Sequence, residues 1–240
     1  MQRDSWYVYM LEISDLNANF NYALCREEAN SNSRKLILFD LNGVLLKSFS
    51  KAEYHAAPPF SAGVLETKTK WVYPRPGVEK LLSHLKDKAS IGIWSSMQRS
   101  NILEIIDVVP ELRNFKFHII LHQDHCGVVR RPGRRPDRRL KPIHIKNISE
   151  ALEVIEGFQE EQICLVEDDP IKCCLNVECS INPPTWDSQD EDEENWVSAE
   201  TLQMFDSLIS APTVPTFLSG RPGLQGKGSV ADHKLVVNNY

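Results

Sequence analysis

No part of the 240-residue chain is apolar for long. The longest purely apolar stretches, such as Leu36-Ile37-Leu38-Phe39, fall far short of the roughly 20 residues that span a bilayer as a helix. Its six cysteines form no CxxC pair and no dense framework, so a reducing compartment is expected rather than a disulfide scaffold. No internal repeat is present. Positive charge is not in excess: 27 Lys and Arg face 33 Asp and Glu, for a formal charge of −6. That balance argues against general nucleic-acid binding. In the first twenty residues Asp4, Glu12 and Asp15 interrupt any signal-like apolar core, and a single arginine is a poor match to a mitochondrial transit peptide. The expected compartment is cytoplasmic or nuclear, with the mitochondrion less favoured.

What is present is ordinary globular composition, 42% apolar and 25% charged, long enough to bury roughly 70% of its unfolded surface without a staple. Residues 1–34 are polar and irregular and read as an N-terminal extension. At Lys35 the texture changes. Four short apolar runs follow: 36–39, 91–94, 117–121 and 163–166. Such runs suit strands buried on both faces. Between them Val78, Leu81, Leu82 and Leu85 keep a helical spacing, as do Ile102, Ile105, Ile106 and Val109. Leu152, Ile155 and Phe158 make a shorter stripe, and Leu202, Phe205 and Ile209 a later one with Ser198 as cap. The alternation predicts an α/β fold with a central parallel sheet and helices on both faces.

Residues 35–215 are the expected domain. Within it, 47–74 show no clear period and read as a small insertion after the first strand. Residues 127–141 form a basic loop, and 187–195 an acidic run. The basic loop could serve nuclear import or substrate steering, but a solvated, Pro-broken surface loop is favoured. Residues 216–240, rich in Gly, read as a flexible tail.

Ligands in parallel sheets bind beyond the carboxyl ends of the strands, where Asp40, Ser95 and Glu167 fall. An aspartate there can attack phosphorus, or simply cap the next turn. Ser95 with nearby N–H groups could hold a phosphoryl oxygen. Lys146, before a helix, could neutralise phosphate charge. Glu167, Asp168 and Asp169 at one strand exit repel one another unless a cation is present, and Mg²⁺ suits hard oxygen ligands; acids before Pro170 are also common at helix starts. Cys164, Cys173, Cys174 and Cys179 fit no zinc spacing and read as buried thiols. Trp71 and Tyr73 could line a groove beside the insertion, with core packing favoured.

In this order the elements resemble the haloacid dehalogenase superfamily, and within it the NLI-interacting-factor branch that includes RNA polymerase II C-terminal-domain phosphatases. The residues that carry the likeness are Asp40-Leu41-Asn42-Gly43-Val44, Arg75-Pro76-Gly77, Trp94-Ser95-Ser96, Gln123-Asp124-His125-Cys126, Lys146-Asn147-Ile148 and Glu167-Asp168-Asp169-Pro170. The resemblance implies a three-layer Rossmann-like fold and an aspartyl-phosphate mechanism toward phosphoserine or phosphothreonine. It makes Asp40 the nucleophile, with Ser95 and Lys146 on the phosphoryl oxygens. Mg²⁺ would be held by Asp40, the Asn42 carbonyl, and Glu167 or Asp168. A phosphorylated protein or peptide is the implied partner.

Two departures stand out. The family's general acid and base is an acidic residue where this chain has Asn42, and its usual Asp is here Glu167. An amide cannot carry protons at neutral pH, so weak hydrolysis is expected, down by about 10²–10⁴-fold. The alternative is a catalytically inactive phosphatase-like module that binds protein. The family's receptor subunit of the mitochondrial presequence translocase is one such precedent.

Overall fold

The structure is a computed structural model that describes residues 34–58, 63–129, 142–187 and 196–225. The chain divides into two units, 1–32 and 33–240, and the described residues belong to the second. The N-terminal extension before Arg34, most of the basic loop, the acidic run after Asp187 and the end of the tail lie outside the described residues.

Ten strands occur among the described residues: β1 (Leu36–Phe39), β2 (Leu46–Ser50), β3 (Leu65–Glu66), β4 (Lys70–Pro74), β5 (Ser90–Trp94), β6 (Ile120–Leu121), β7 (Cys126–Val129), β8 (Ile143–Lys146), β9 (Ile163–Val166) and β10 (Ser180–Ile181). The helices are α1 (Val78–Leu85), α2 (Arg99–Val108), α3 (Pro110–Arg113), α4 (Ile148–Ala151), α5 (Ala199–Ser210) and α6 (Val214–Ser219). Five strands build a sheet in the order β10-β9-β1-β5-β6, every neighbouring pair parallel. β1 and β9 are buried at every residue, because both faces are covered and neither strand alternates. On one face the Phe39 ring meets Phe205 of α5 at 5.8 Å. Gly92 leaves room for its in-sheet neighbours: a Cβ there would lie 2.7 Å from Leu38 and 2.9 Å from the Ile119 carbonyl.

The helical stripes of α1 and α2 are buried as their spacing predicts, and the Ser198 hydroxyl caps α5 by accepting from Thr201 N–H. In α5 the third buried apolar residue is Leu208; Ile209 is half-buried.

Five expectations shift. The 117–121 run narrows to a two-residue β6, although His118 N–H still donates to Ile91 O at 2.7 Å. The stripe at 152–158 is not a helix: α4 ends at Ala151, a turn follows, and Gly157 at φ 81 redirects the chain. The 47–74 insertion is a three-stranded antiparallel sheet, β2-β4-β3. Its register pairs Phe49 with Trp71 and Lys47 with Tyr73, and Ser48 with Val72 and Ser50 with Lys70. Paired residues share a face, so one face is largely aromatic and the other mixes Ser48, Ser50 and Lys70 with the buried Val72, which blurs any apolar period. Finally, the tail boundary expected at 216 falls inside α6, where Phe217 and Leu218 are buried, and 127–129 of the basic loop are strand.

β1 is followed by β5 on one side, and the chain returns later to place β9 on the other. The strand order therefore reverses beside β1, at the crevice where such sheets bind ligands.

Candidate functional site

Three strand ends meet at that crevice. Asp40 N–H donates to Val166 O at 2.9 Å, Ser95 N–H to Leu121 O at 3.1 Å, and Glu167 N–H to Ile181 O at 3.1 Å. These bonds extend the ladders by one residue and fix where each side chain leaves the sheet. After Asp40 the chain folds back on itself: Leu41 O accepts from Leu45 and Leu46 N–H at 3.0 and 2.9 Å, and Gly43 N–H donates to Leu46 O at 2.8 Å. Leu41, Val44, Leu45 and Leu46 are buried and anchor this turn. Gly43 has φ 92, and a Cβ there would lie 2.2 Å from an Asp168 carboxylate oxygen. Only glycine allows both the left-handed backbone and that approach. Arg75, from the Arg-Pro-Gly turn, braces the loop by donating to Val44 O at 3.2 Å.

The site residues expected from sequence converge, with one addition. Asp40 and Glu167 are buried carboxylates, and Lys146 at the end of β8 is buried beside them. Lys146 Nζ lies 2.5 Å from Glu167 Oε2 and 3.3 Å from Asp40 Oδ1. The second approach is an ion pair without an aligned hydrogen bond, so Asp40 Oδ1 stays an unsatisfied acceptor. The addition is Lys172. Its Nζ lies 2.8 Å from Glu167 Oε1 and 3.5 Å from Asp40 Oδ2. Burial alone would lower both lysine pKa values, but Asp40 and then Glu167 outweigh it, and both ammoniums are held above the ordinary lysine range. No sequence spacing marks Lys172. The available signal is electrostatic: a run of three acids beside Asp40 demands cations, and Lys172 is the first one after it.

Asn42 lines the crevice, but an amide carries no proton to transfer at neutral pH. Its Oδ1 accepts from Ser48 N–H at 2.8 Å and Ser48 Oγ at 3.2 Å. Asp40, Asn42, Ser48, Ser50, Lys70, Ser95, Ser96 and Lys172 help line an open cavity of about 270 Å³, below the roughly 300 Å³ at which small-molecule clefts begin. Lys146 does not line it; it is sealed beneath Asp40, while Lys172 faces the cavity wall. The polar face of the small sheet supplies Ser48, Ser50 and Lys70, so Trp71 and Tyr73 lie on the opposite face, where Tyr73 is buried against Phe49.

Oxygens of Asp40, Glu167 and Asp168 lie within 4.8 Å of one another, and Asp168 Oδ1 is buried without a hydrogen bond. As a donor set this is suited to a hard cation. As arranged, the set does not fit a divalent ion, because Lys172 already bridges two of its members. A dication and an ammonium about 4 Å apart repel by about 8 kcal/mol at an effective dielectric of 20.

The Gln123–Cys126 element makes a tight turn in which His125 Nδ1 accepts from His122 N–H at 3.1 Å. Burial pushes the Cys126 thiol up to about 11, so it stays protonated and is a poor nucleophile at neutral pH. Cys164, Cys173 and Cys179 are buried free thiols, as expected, whereas Cys174 is only half-buried. Among the described residues no helix is long and apolar enough to cross a membrane.

Similar solved structures include Fcp1, described as an essential RNA polymerase II CTD phosphatase, and an arginine-to-alanine variant of fission yeast Fcp1 bound to beryllium fluoride. Each is 11% identical, aligns over 87% of this chain with a TM-score of 0.43, and is itself covered over 59% of its length. No curated protein matches the chain. Residues 35–214 match the NLI interacting factor-like phosphatase family, and over that span, from the start of β1 to the start of α6, the chain belongs to this family of the haloacid dehalogenase superfamily.

Proposed function

We propose that the cavity above Asp40 receives a phosphoserine or phosphothreonine side chain of a protein partner, and that hydrolysis there is severely slowed. The observation that carries this reading is Asn42, with its carbonyl oxygen committed to Ser48. In the reaction that the family resemblance implies, an Asp40 oxygen attacks phosphorus and the bond to the serine or threonine oxygen breaks. The leaving alkoxide then needs a proton, and water must later lose one to attack the aspartyl-phosphate. Asn42 can do neither. Lys172, Ser95 and Ser96 would contact the phosphoryl oxygens, with Lys146 paired to Asp40 from beneath at 3.3 Å. Magnesium, the cofactor of the superfamily in general, has Asp40, Glu167, Asp168 and the Asn42 carbonyl as candidate ligands here, and it would have to displace Lys172.

Asn42→Asp keeps the shape and both acceptor bonds to Ser48 while restoring an acid. It is expected to raise hydrolysis of a phosphoserine peptide by about 10²–10⁴-fold over wild type, and Asp40→Asn should abolish the gain. All three proteins are assayed with and without Mg²⁺ after checking that they fold. Wild-type turnover that survives Asp40→Asn would defeat the proposed role of Asp40. A silent Asn42→Asp protein that still binds the phosphopeptide favours the second reading, a phosphoprotein-binding module without chemistry, which Lys172 bridging Asp40 and Glu167 also supports.

A further inference from the structure

Lys172 is held in place by more than its side chain. Its N–H donates to Asp169 O at 3.0 Å, and its carbonyl accepts from Lys146 N–H at 2.7 Å. The turn that delivers it is closed by Ile171 N–H donating to Asp169 Oδ1 at 3.0 Å. The backbone is thus tied to β8 on one side and to the acidic run on the other, and the ammonium reaches the gap between Asp40 and Glu167. Glu167 reaches both lysines because it is one methylene longer than an aspartate. Its Oε2 takes Lys146 and its Oε1 takes Lys172. Asp40, Glu167 and Asp168 carry three negative charges, and the two lysines offset two of them.

We propose that Lys172 is the resident cation of this pocket: its ammonium occupies the place between Asp40 and Glu167 where the carboxylate trio would otherwise hold a divalent ion. An ammonium has three donors. Two point to Glu167 and Asp40, which leaves one for an incoming anion. It brings one positive charge where a metal brings two, and it makes no demand for octahedral geometry. The pocket is then a metal-independent anion site, and magnesium competes with the protein's own side chain for the same oxygens.

The test titrates Mn²⁺ into the full chain by electron paramagnetic resonance, with no peptide present. Wild type and Lys172→Arg should bind the ion weakly. Lys172→Gln should bind one ion about 10–100-fold more tightly, with the gain lost when Asp168→Asn is added. A fixed ammonium about 4 Å away would give about 10⁶-fold, but a lysine side chain that is 20% exposed can swing toward water and relieve most of that repulsion. Mg²⁺ should raise the melting temperature of Lys172→Gln and leave wild type unmoved. Wild type binding one Mn²⁺ as tightly as Lys172→Gln would overturn the assignment. Should Lys172→Gln fail to fold, the wild-type titration decides, and submillimolar one-to-one binding overturns it.

A second arm rests on the function proposed above: a phosphoserine peptide should bind wild type equally in chelator and in Mg²⁺. Binding that requires Mg²⁺ overturns the assignment. No binding under either condition, with the Mn²⁺ order intact, defeats the phosphoester reading and leaves Lys172 as the resident cation.

Discussion

Glu167→Gln should be among the most destabilising single-atom changes in the fold. The side chain is fully buried and accepts from two ammoniums, Lys146 at 2.5 Å and Lys172 at 2.8 Å. Its Oε1 also accepts from Asp169 N–H at 3.2 Å. An amide keeps the volume but can accept through one end only; its NH₂ must face an ammonium. Removing one partner of a buried pair costs about 3–5 kcal/mol, since the other charge stays buried and uncompensated. Asp40 remains 3.3 Å from Lys146 and 3.5 Å from Lys172, so the lower end, about 3 kcal/mol, is expected. For a domain of this size that is a fall of about 6–12 °C in melting temperature. Urea unfolding followed by tryptophan fluorescence measures it. Adding Lys146→Met removes the stranded ammonium and should return about 1–2 kcal/mol, a coupling read from the double-mutant cycle. Glu167→Asp should fall between, because the shorter arm cannot reach both lysines. A loss below about 1 kcal/mol for Glu167→Gln would mean that the charge cluster is not the buried keystone the distances describe.

Gly43→Ala should cost about 2 kcal/mol or more, from the left-handed backbone at φ 92 and a Cβ driven into Asp168; a variant as stable as wild type by urea midpoint would refute the close approach. Burial holds His118, His122, His125 and His144 below the ordinary histidine pKa. A depressed folded value means full stability above the unfolded pKa of about 6.5 and loss as pH falls through the folded values. The urea midpoint should therefore drop between pH ~7.5 and ~5.5, less so in His118→Gln. A flat or rising midpoint would contradict this. The raised lysines add no slope in that window, since their contribution fades only as pH climbs above about 10.4.

Strand ends were legible because burial on both faces erases alternation: Leu36–Phe39 and Ile163–Val166 announce themselves, and the carboxylate that follows each is conspicuous. Asp40, Ser95, Lys146, Glu167 and Asp168 were thus nameable from sequence, although Lys146 ends a separate ribbon rather than a strand of the main sheet. Lys172 was not nameable, because its role depends on a turn after Pro170 and on a backbone bond to β8, neither of which has a sequence period. The small antiparallel sheet escaped for a different reason. Its pocket face sets Ser48, Ser50 and Lys70 beside the buried Val72, so polar residues interrupt the apolar ones a strand pattern would show. The false helix at 152–158 shows the reverse error, apolar residues three apart supplied by a turn and Gly157.

The turn after β1 also decides how this molecule ages. An asparagine followed by glycine loses ammonia when the glycine nitrogen attacks the side-chain carbonyl carbon, and the ring that forms reopens with water to leave aspartate or its isomer. In the fold both participants are engaged: Gly43 N–H donates to Leu46 O, and the Asn42 carbonyl is gripped twice by Ser48. The unfolded chain has no such restraint. Each excursion out of the native state, during purification, heating or refolding, is therefore a chance to convert residue 42 into the acid that the pocket otherwise lacks. The chemical history of a sample, read by peptide mapping across Asn42-Gly43, becomes part of what any trace of turnover means.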